Sequence, residues 1–255
     1  LVINQVFQGE NLWYLGFPDQ ALKIALLGLA RARQLGHPFT LVCALSFTAE
    51  LHDLRREPAA TQENLEHLLP LSQERGFILY TGWGRVLLGH VMVAQNRVEE
   101  GIAQIRRGLA DWRATGAGVS LPGFQAVLAE ACLHAGRYEE GLRCIQEAFT
   151  CQAASGERFN QAELYRIQGR LIQAQANPDA GAEGCYQRAL CIARAQNANS
   201  LELRAALDLS RLWHAQGKTA LIQDLLSRVV CRFTEGFTTP DLLDASLFLE
   251  QVSQF

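Results

Sequence analysis

Glycine recurs along this chain with a fixed period. Gly36, Gly76, Gly116 and Gly156 stand 40 residues apart, Asn197 follows after 41 and Gly236 after another 39. The first five marks each close a polar, helix-like stretch, such as Ala32-Arg33-Gln34-Leu35-Gly36 and Ser72-Gln73-Glu74-Arg75-Gly76. A helix that stops abruptly needs a left-handed residue just past its end. Glycine takes that conformation without steric cost, and asparagine is the usual substitute. Periods of this length mark architectures built by stacking one supersecondary unit on the next.

A second set of marks runs out of phase with the first. Gly9, Ala49, Gly89, Ala129, Gly169 and Ser210 are all small, at spacings of 40, 40, 40, 40 and 41. Small residues recurring on a helix face let a neighbouring helix approach closely. A third pattern pairs small residues seven apart: Ala21 with Gly28, Gly101 with Gly108, Gly141 with Ala148, and Ala182 with Ala189. Seven residues make two helical turns, so both members of a pair share one face. The second and sixth units carry Thr61/Leu68 and Ile222/Val229 there instead.

Together these marks define a hairpin of two helices, A and B, repeated six times. The A helices are predicted within 2–15, 39–54, 79–95, 121–135, 160–175 and 200–216. The B helices are predicted within 18–35, 60–75, 98–115, 138–155, 181–196 and 219–234, with a last helix at about 240–252. Pro18, Pro38, Pro122 and Pro240 fall at helix starts, where the missing N–H costs nothing. Pro58 and Pro178 fall in turns, while Pro70 lies inside the second B helix and should kink it. Phe77-Ile78-Leu79-Tyr80 is the best short apolar run; coming straight after a cap glycine, it reads as the entry to a helix rather than a strand.

Composition narrows the function classes. With 23 basic and 26 acidic residues the net charge is −3, which disfavours a binder of nucleic-acid phosphates. An apolar fraction of 49% excludes a disordered chain. The uncharged run from Ala114 to Ala129 is too short to span a membrane and is broken by Gly116, Gly118 and Pro122. The chain opens at Leu1, its one Met is Met92 and no secretion signal is visible, so it reads as a piece of a longer cytoplasmic protein. Seven cysteines without a C-x-x-C spacing, as in Ala131-Cys132-Leu133 and Leu190-Cys191-Ile192, read as small buried hydrophobes in a reducing compartment.

Catalytic signatures are missing. Gly217-Lys218-Thr219 resembles the end of a phosphate loop, but Leu212 stands where the loop needs glycine. Glu50-Leu51-His52-Asp53 holds three ligand types on adjacent helical positions that point apart, so a salt bridge at the helix end or a solvated face is expected. The six histidines (37, 52, 67, 90, 134 and 214) show no ligand spacing. No catalytic residue, metal or cofactor is expected.

The repeat resembles the tetratricopeptide (TPR) family. Leu88-Gly89 occupies that family's Leu-Gly position, and Gly101, Ile105 and Gly108 follow its small–large–small positions. Gly136-Arg137-Tyr138-Glu139-Glu140-Gly141-Leu142 is close to its inter-helix turn, and Tyr186-Gln187-Arg188-Ala189-Leu190 matches its second helix. A narrower likeness lies in Ala162-Glu163-Leu164-Tyr165-Arg166, in Ser200 to Ala206 and in Phe233 to Leu242. These look like the C-terminal repeats of large bacterial signalling proteins that carry a class III nucleotidyl cyclase domain and a STAND-type ATPase.

What the resemblance implies is an all-α fold: one right-handed α-solenoid over 1–255, with repeats 1–36, 37–76, 77–116, 117–156, 157–197 and 198–236 and a cap at 237–255. It also implies that the A helices line a concave groove for a protein or peptide partner. The residue after each small A-helix position would then face the groove: Glu10, Glu50, His90, Glu130, Arg170 and Arg211. Asp53 adds to the acidic early end, and Arg166, Arg204 and His214 add to the basic late end, which Glu163 interrupts. Trp13 and Trp83 are candidate anchors, with core packing between units as the alternative.

The expected function is a non-catalytic interaction and sensor module, the C-terminal part of a bacterial signal-transduction ATPase or cyclase. The alternatives are a free-standing adaptor and a self-associating scaffold. Asp241, Asp244 and Glu250 make the last helix look like a solubilising cap, whereas Leu1-Val2-Ile3 offers an apolar end suited to an upstream domain or a homodimer contact.

Overall fold

A computed structural model describes residues 1–175 and 181–253. Among the described residues there are thirteen α-helices and no strand. The A helices are α1 (Val2–Leu15), α3 (Pro38–Leu54), α5 (Ile78–Ala94), α7 (Leu121–His134), α9 (Gln161–Gln173) and α11 (Asn199–Ala215). The B helices are α2 (Pro18–Leu35), α4 (Pro58–Glu74), α6 (Val98–Ala114), α8 (Tyr138–Ser155), α10 (Ala182–Ala195) and α12 (Thr219–Val230), with α13 (Pro240–Ser253) last. Phe77 leads directly into α5, so the apolar run is helical. Pro58 opens α4 rather than lying in the turn before it, and Pro178 lies outside the described residues.

The period is read out by the backbone. Gly36, Gly76, Gly116, Gly156, Asn197 and Gly236 all have positive φ, from 54° to 77°. A companion series ends the A helices: Gly16, Arg56, Asn96, Gly136 and Gly217 are left-handed too. α4 runs from Pro58 to Glu74 with the exposed Pro70 inside it, where solvent reaches the carbonyl that loses its helical donor. One local expectation is revised. α12 stops at Val230 instead of 234, because Phe233 turns back into a core with Leu209, Leu226, Leu242 and Ala245.

Small residues set the spacing within each hairpin. A Cβ on Gly89 would stand 2.6 Å from the Gly101 carbonyl oxygen, and one on Gly101 would stand 2.6 Å from that of Gly89. Gly82 and Gly108 repeat the arrangement two turns along. Ala49, Ala129 and Ser210 are fully buried at the equivalent positions, and in the fifth hairpin the Tyr186 ring lies directly on Gly169.

The chain divides into two compact units: Leu1–Asn11 with Gln20–Glu157, and Leu12–Asp19 with Arg158–Phe255. In the first unit α3 packs on α5 and α5 on α7; in the second, α9 packs on α11 and α11 on α13. The A helices that pack on one another in each unit make up its A-helix wall. In the second unit the turn at Leu12–Asp19 is held by the Asn199 side-chain amide, which donates to the Leu15 carbonyl, and by Ser200, which donates to that of Trp13. The Gly236 amide donates to Asp19, and the Asp19 amide to Glu235.

The cysteines depart from the uniform burial expected of them. Cys43, Cys132 and Cys144 are buried, whereas Cys191 and Cys231 are exposed. The helical pattern around Leu190-Cys191-Ile192 places Leu190 inward and Cys191 one step outside the buried stripe. No described helix is long and apolar enough to cross a membrane.

Candidate functional site on the A-helix wall

Each small A-helix residue faces its own B helix, and the next residue, about 100° further round, faces the wall. In the first unit this gathers carboxyls. Glu10 on α1, Glu50 and Asp53 on α3, His90 on α5 and Glu130 on α7 all keep partial exposure. His90 Nδ1 lies 2.9 Å from both Asp53 oxygens, and its Nε2 lies 3.9 Å from Glu130. The imidazole thus ties α3, α5 and α7 together.

Glu50 is the electrostatic centre of this wall. Burial pushes its carboxyl well above the usual range, and the charges of Glu10, Asp53 and Glu157 push it further. The Trp83 indole N–H, nearly enclosed at 6% exposure, is directed to Glu50 and holds it down in part without closing a well-formed hydrogen bond. Burial raises Glu10 to about 7. Glu157 is raised by burial as well; one oxygen accepts from the Ser120 amide at 2.8 Å and the other is buried without a partner. Glu157 was not among the expected wall residues. Its signal is its place directly after Gly156, whose left-handed turn redirects the chain.

The two tryptophans are not groove anchors. Trp83 is packed among Phe47 at 4.9 Å, Phe124 at 6.3 Å and Trp112 at 6.2 Å between ring centroids. Trp13 is 3% exposed, with the Arg204 guanidinium 4.9 Å above its ring. Both side chains are large enough that burying their rings outweighs presenting them to water.

In the second unit the expected basic stretch is internally neutralised. Arg166 is buried and donates to Glu163 and, at 2.7 Å, to Asp208 of the next A helix. Arg204 donates to Asp241 on α13 at 2.7 Å and lies 3.7 Å from Glu163. Burial works against the Arg204 charge, but Asp241 and Glu163 more than restore it. Arg211, the exposed member, lies 3.5 Å from Asp208 and 4.0 Å from Asp244, and Arg170 is half-buried near Tyr186. The A-helix charges of the second unit are therefore balanced rather than basic. α13 is likewise less polar than expected: Asp241 is engaged by Arg204, while Leu243 and Leu247 are exposed.

Among the described residues no three His, Cys, Asp or Glu side chains are placed to hold a metal ion. The wall can attract positive charge and exchange protons near neutrality.

No protein-family model and no curated protein sequence matches the chain. Solved structures do. A Rap protein complexed with competence and sporulation factor is similar over 98% of this chain and 74% of its own, with a TM-score of 0.68 and 11% identity. Aspartyl phosphate phosphatase F from Bacillus subtilis matches over 99% of this chain at TM-score 0.61 and 14% identity, and the chain spans 61% of that protein's length. A Signal Transduction ATPase with Numerous Domains from Pyrococcus horikoshii, which has a tetratricopeptide repeat sensor, matches over 94% of this chain and 36% of its own at TM-score 0.55 and 15% identity. The chain accordingly has the all-α, solenoid-class fold of tetratricopeptide-like repeat proteins.

Proposed function

We propose that this chain is a non-catalytic recognition and sensor module that binds a protein or peptide along its A-helix wall. It would act in the bacterial cytoplasm as the C-terminal part of a signal-transduction ATPase or cyclase. The observation that carries this reading is the convergence of A helices within each unit. α3 packs on α5 and α5 on α7, the helices that carry Glu50, His90 and Glu130, and Glu10 of α1 is close enough to raise Glu50. A Rap protein in complex with competence and sporulation factor and a repeat sensor, both of the same fold, support the same direction.

Panning a random heptapeptide library against the whole chain tests it. Enriched peptides should lose at least ten-fold in affinity for Glu130→Lys on the wall and less than two-fold for Glu139→Lys on the exposed start of α8. No enrichment, or equal losses, overturns the reading.

A second reading has its own observation. Leu243 and Leu247 lie one turn apart on α13 at 44% and 62% exposure, which suits self-association. Light scattering should then give a dimer that Leu247→Glu converts to monomer; a monomeric wild type removes this reading.

A further inference from the structure

A cavity of about 560 Å³ in the second unit is lined by both helices of the fifth hairpin, at the start of α9 and the latter part of α10. Its size is within the ~300–1,000 Å³ of small-molecule pockets. On α9, Tyr165 stands one turn after Gln161; on α10, Ile192 stands one turn after Arg188, so each helix turns one stripe to the cavity. α10 gives Ala182, Tyr186, Ala189, Leu190 and Ala193 to the core, which leaves Arg188 and Cys191 exposed.

The lining is chemically one-sided. Its apolar part is the Tyr165 ring, Ile192 and Cys191. Its charged part is cationic only, Arg158 and Arg188, and no Asp or Glu is among the described residues that line it. Elsewhere in this unit Arg166, Arg194, Arg204 and Arg232 each face a carboxylate. Arg158 and Arg188 have no carboxylate partner among the described residues. Arg188 lies over the Tyr165 ring, its guanidinium carbon 5.4 Å from the centroid. A guanidinium stacked in this way keeps its N–H donors in its own plane, where the ring does not use them. Arg158 is fixed through its backbone. Its carbonyl accepts from the Gln196 side-chain amide at 2.8 Å and from the Gln161 backbone amide at 3.1 Å.

We infer that this cavity binds a small organic anion, a carboxylate or phosphate carried on an apolar body, with the oxyanion on Arg158 and Arg188 and the apolar body on Tyr165 and Ile192. Charge-assisted hydrogen bonds from the guanidiniums hold the oxyanion. Contact with the ring and with Ile192 distinguishes such a ligand from inorganic phosphate or acetate, which offer no apolar surface to bury. The site lies on other residues than the carboxyls of the first unit, so it goes beyond peptide recognition and stands or falls apart from it.

Cys191 supplies the readout, because it lines the cavity whereas Cys231, also exposed, does not. The whole chain is alkylated with N-ethylmaleimide, which is uncharged, and the rate at each cysteine is followed by peptide mass spectrometry. The probes are naphthoate and naphthyl phosphate. Naphthamide is the neutral counterpart, and acetate and inorganic phosphate are the anions without an apolar body. At least one naphthyl anion should slow Cys191 five-fold or more, saturably, and leave Cys231 unchanged; the one that protects at the lower concentration identifies the oxyanion. The amide and the two small anions should need at least ten-fold higher concentrations for the same protection. Arg158→Gln and Arg188→Gln, both at exposed positions, should each remove the advantage of the anion over the amide without altering the Cys231 rate. Arg188→Lys, which keeps the charge and loses the planar fork, should retain part of that advantage. No protection of Cys191 by either naphthyl anion, equal protection by the amide, or protection that survives both glutamine substitutions overturns the inference.

Discussion

Replacing Gly89 by alanine is the sharpest test of how the hairpins are built. The new Cβ would lie 2.6 Å from the Gly101 carbonyl oxygen, 2.6 Å from Ile105 Cγ1 and 2.8 Å from the Ile105 nitrogen. Ordinary contact begins near 3.4 Å, so the shortfall is about 0.8 Å, and two of the three atoms are backbone. No rotamer change relieves a backbone clash; α5 and α6 must separate. A gap of ~0.5–1 Å forfeits a quarter to a half of the contact energy of the atoms lining it. Overpacking of this kind costs roughly 1–3 kcal/mol. Alanine returns about 1 kcal/mol as the better helix former. The net expectation is a loss of roughly 0–2 kcal/mol. Gly184→Ala is the control, because Gly184 is exposed in α10 with nothing within 4 Å of the added carbon. It should gain roughly 0.5–1 kcal/mol. Urea unfolding read by tryptophan fluorescence is suited to the comparison, since Trp83 and Trp112 lie across the α5–α6 contact. If Gly89→Ala is as stabilising as Gly184→Ala, the small-residue marks do not set helix spacing.

Three further outcomes are expected. The raised carboxyls make stability fall as pH rises. Glu10 and Glu50 keep protons in the folded state that the unfolded chain releases near pH 4.5, so the contribution is complete below that value and is lost for Glu10 by about pH 7. Glu50→Gln should therefore flatten the melting temperature between pH 5 and 8 and raise it at pH 8; a lower value at pH 8 refutes the assignment. Gly236→Ala should destabilise the second unit by about 2 kcal/mol or more, because the added carbon would fall 2.2 Å from Pro18 Cγ at a φ of +77°; calorimetry would expose a neutral result. Arg166→Met should cost about 3–5 kcal/mol by taking the buried guanidinium away from Asp208 and Glu163, and a loss under 1 kcal/mol would mean the pairing is incidental.

The architecture was legible because its punctuation is chemical. A residue that must be left-handed is usually Gly or Asn, and one that must admit a helix is small, so both kinds of mark survive in the sequence. The companion turns were harder to see because Arg56 adopts the left-handed conformation without being a residue that favours it. On the wall, the acidic members Glu10, Glu50 and Glu130 could be named from their register beside the small residues. Their neighbours' effect could not. Asp208 and Asp241 reach Arg166 and Arg204 from 42 and 37 residues away, so the charge of the second unit depends on which A helices touch. Trp13 and Trp83 were ambiguous for a different reason: a tryptophan that fills a core and one that anchors a partner have the same local pattern, and only burial separates them.

Amide hydrogen exchange, with and without a library-selected peptide, tests the central claim most directly. The account predicts slowed exchange in α3, α5 and α7 and unchanged exchange in α4, α6 and α8. Protection confined to the B helices would contradict it.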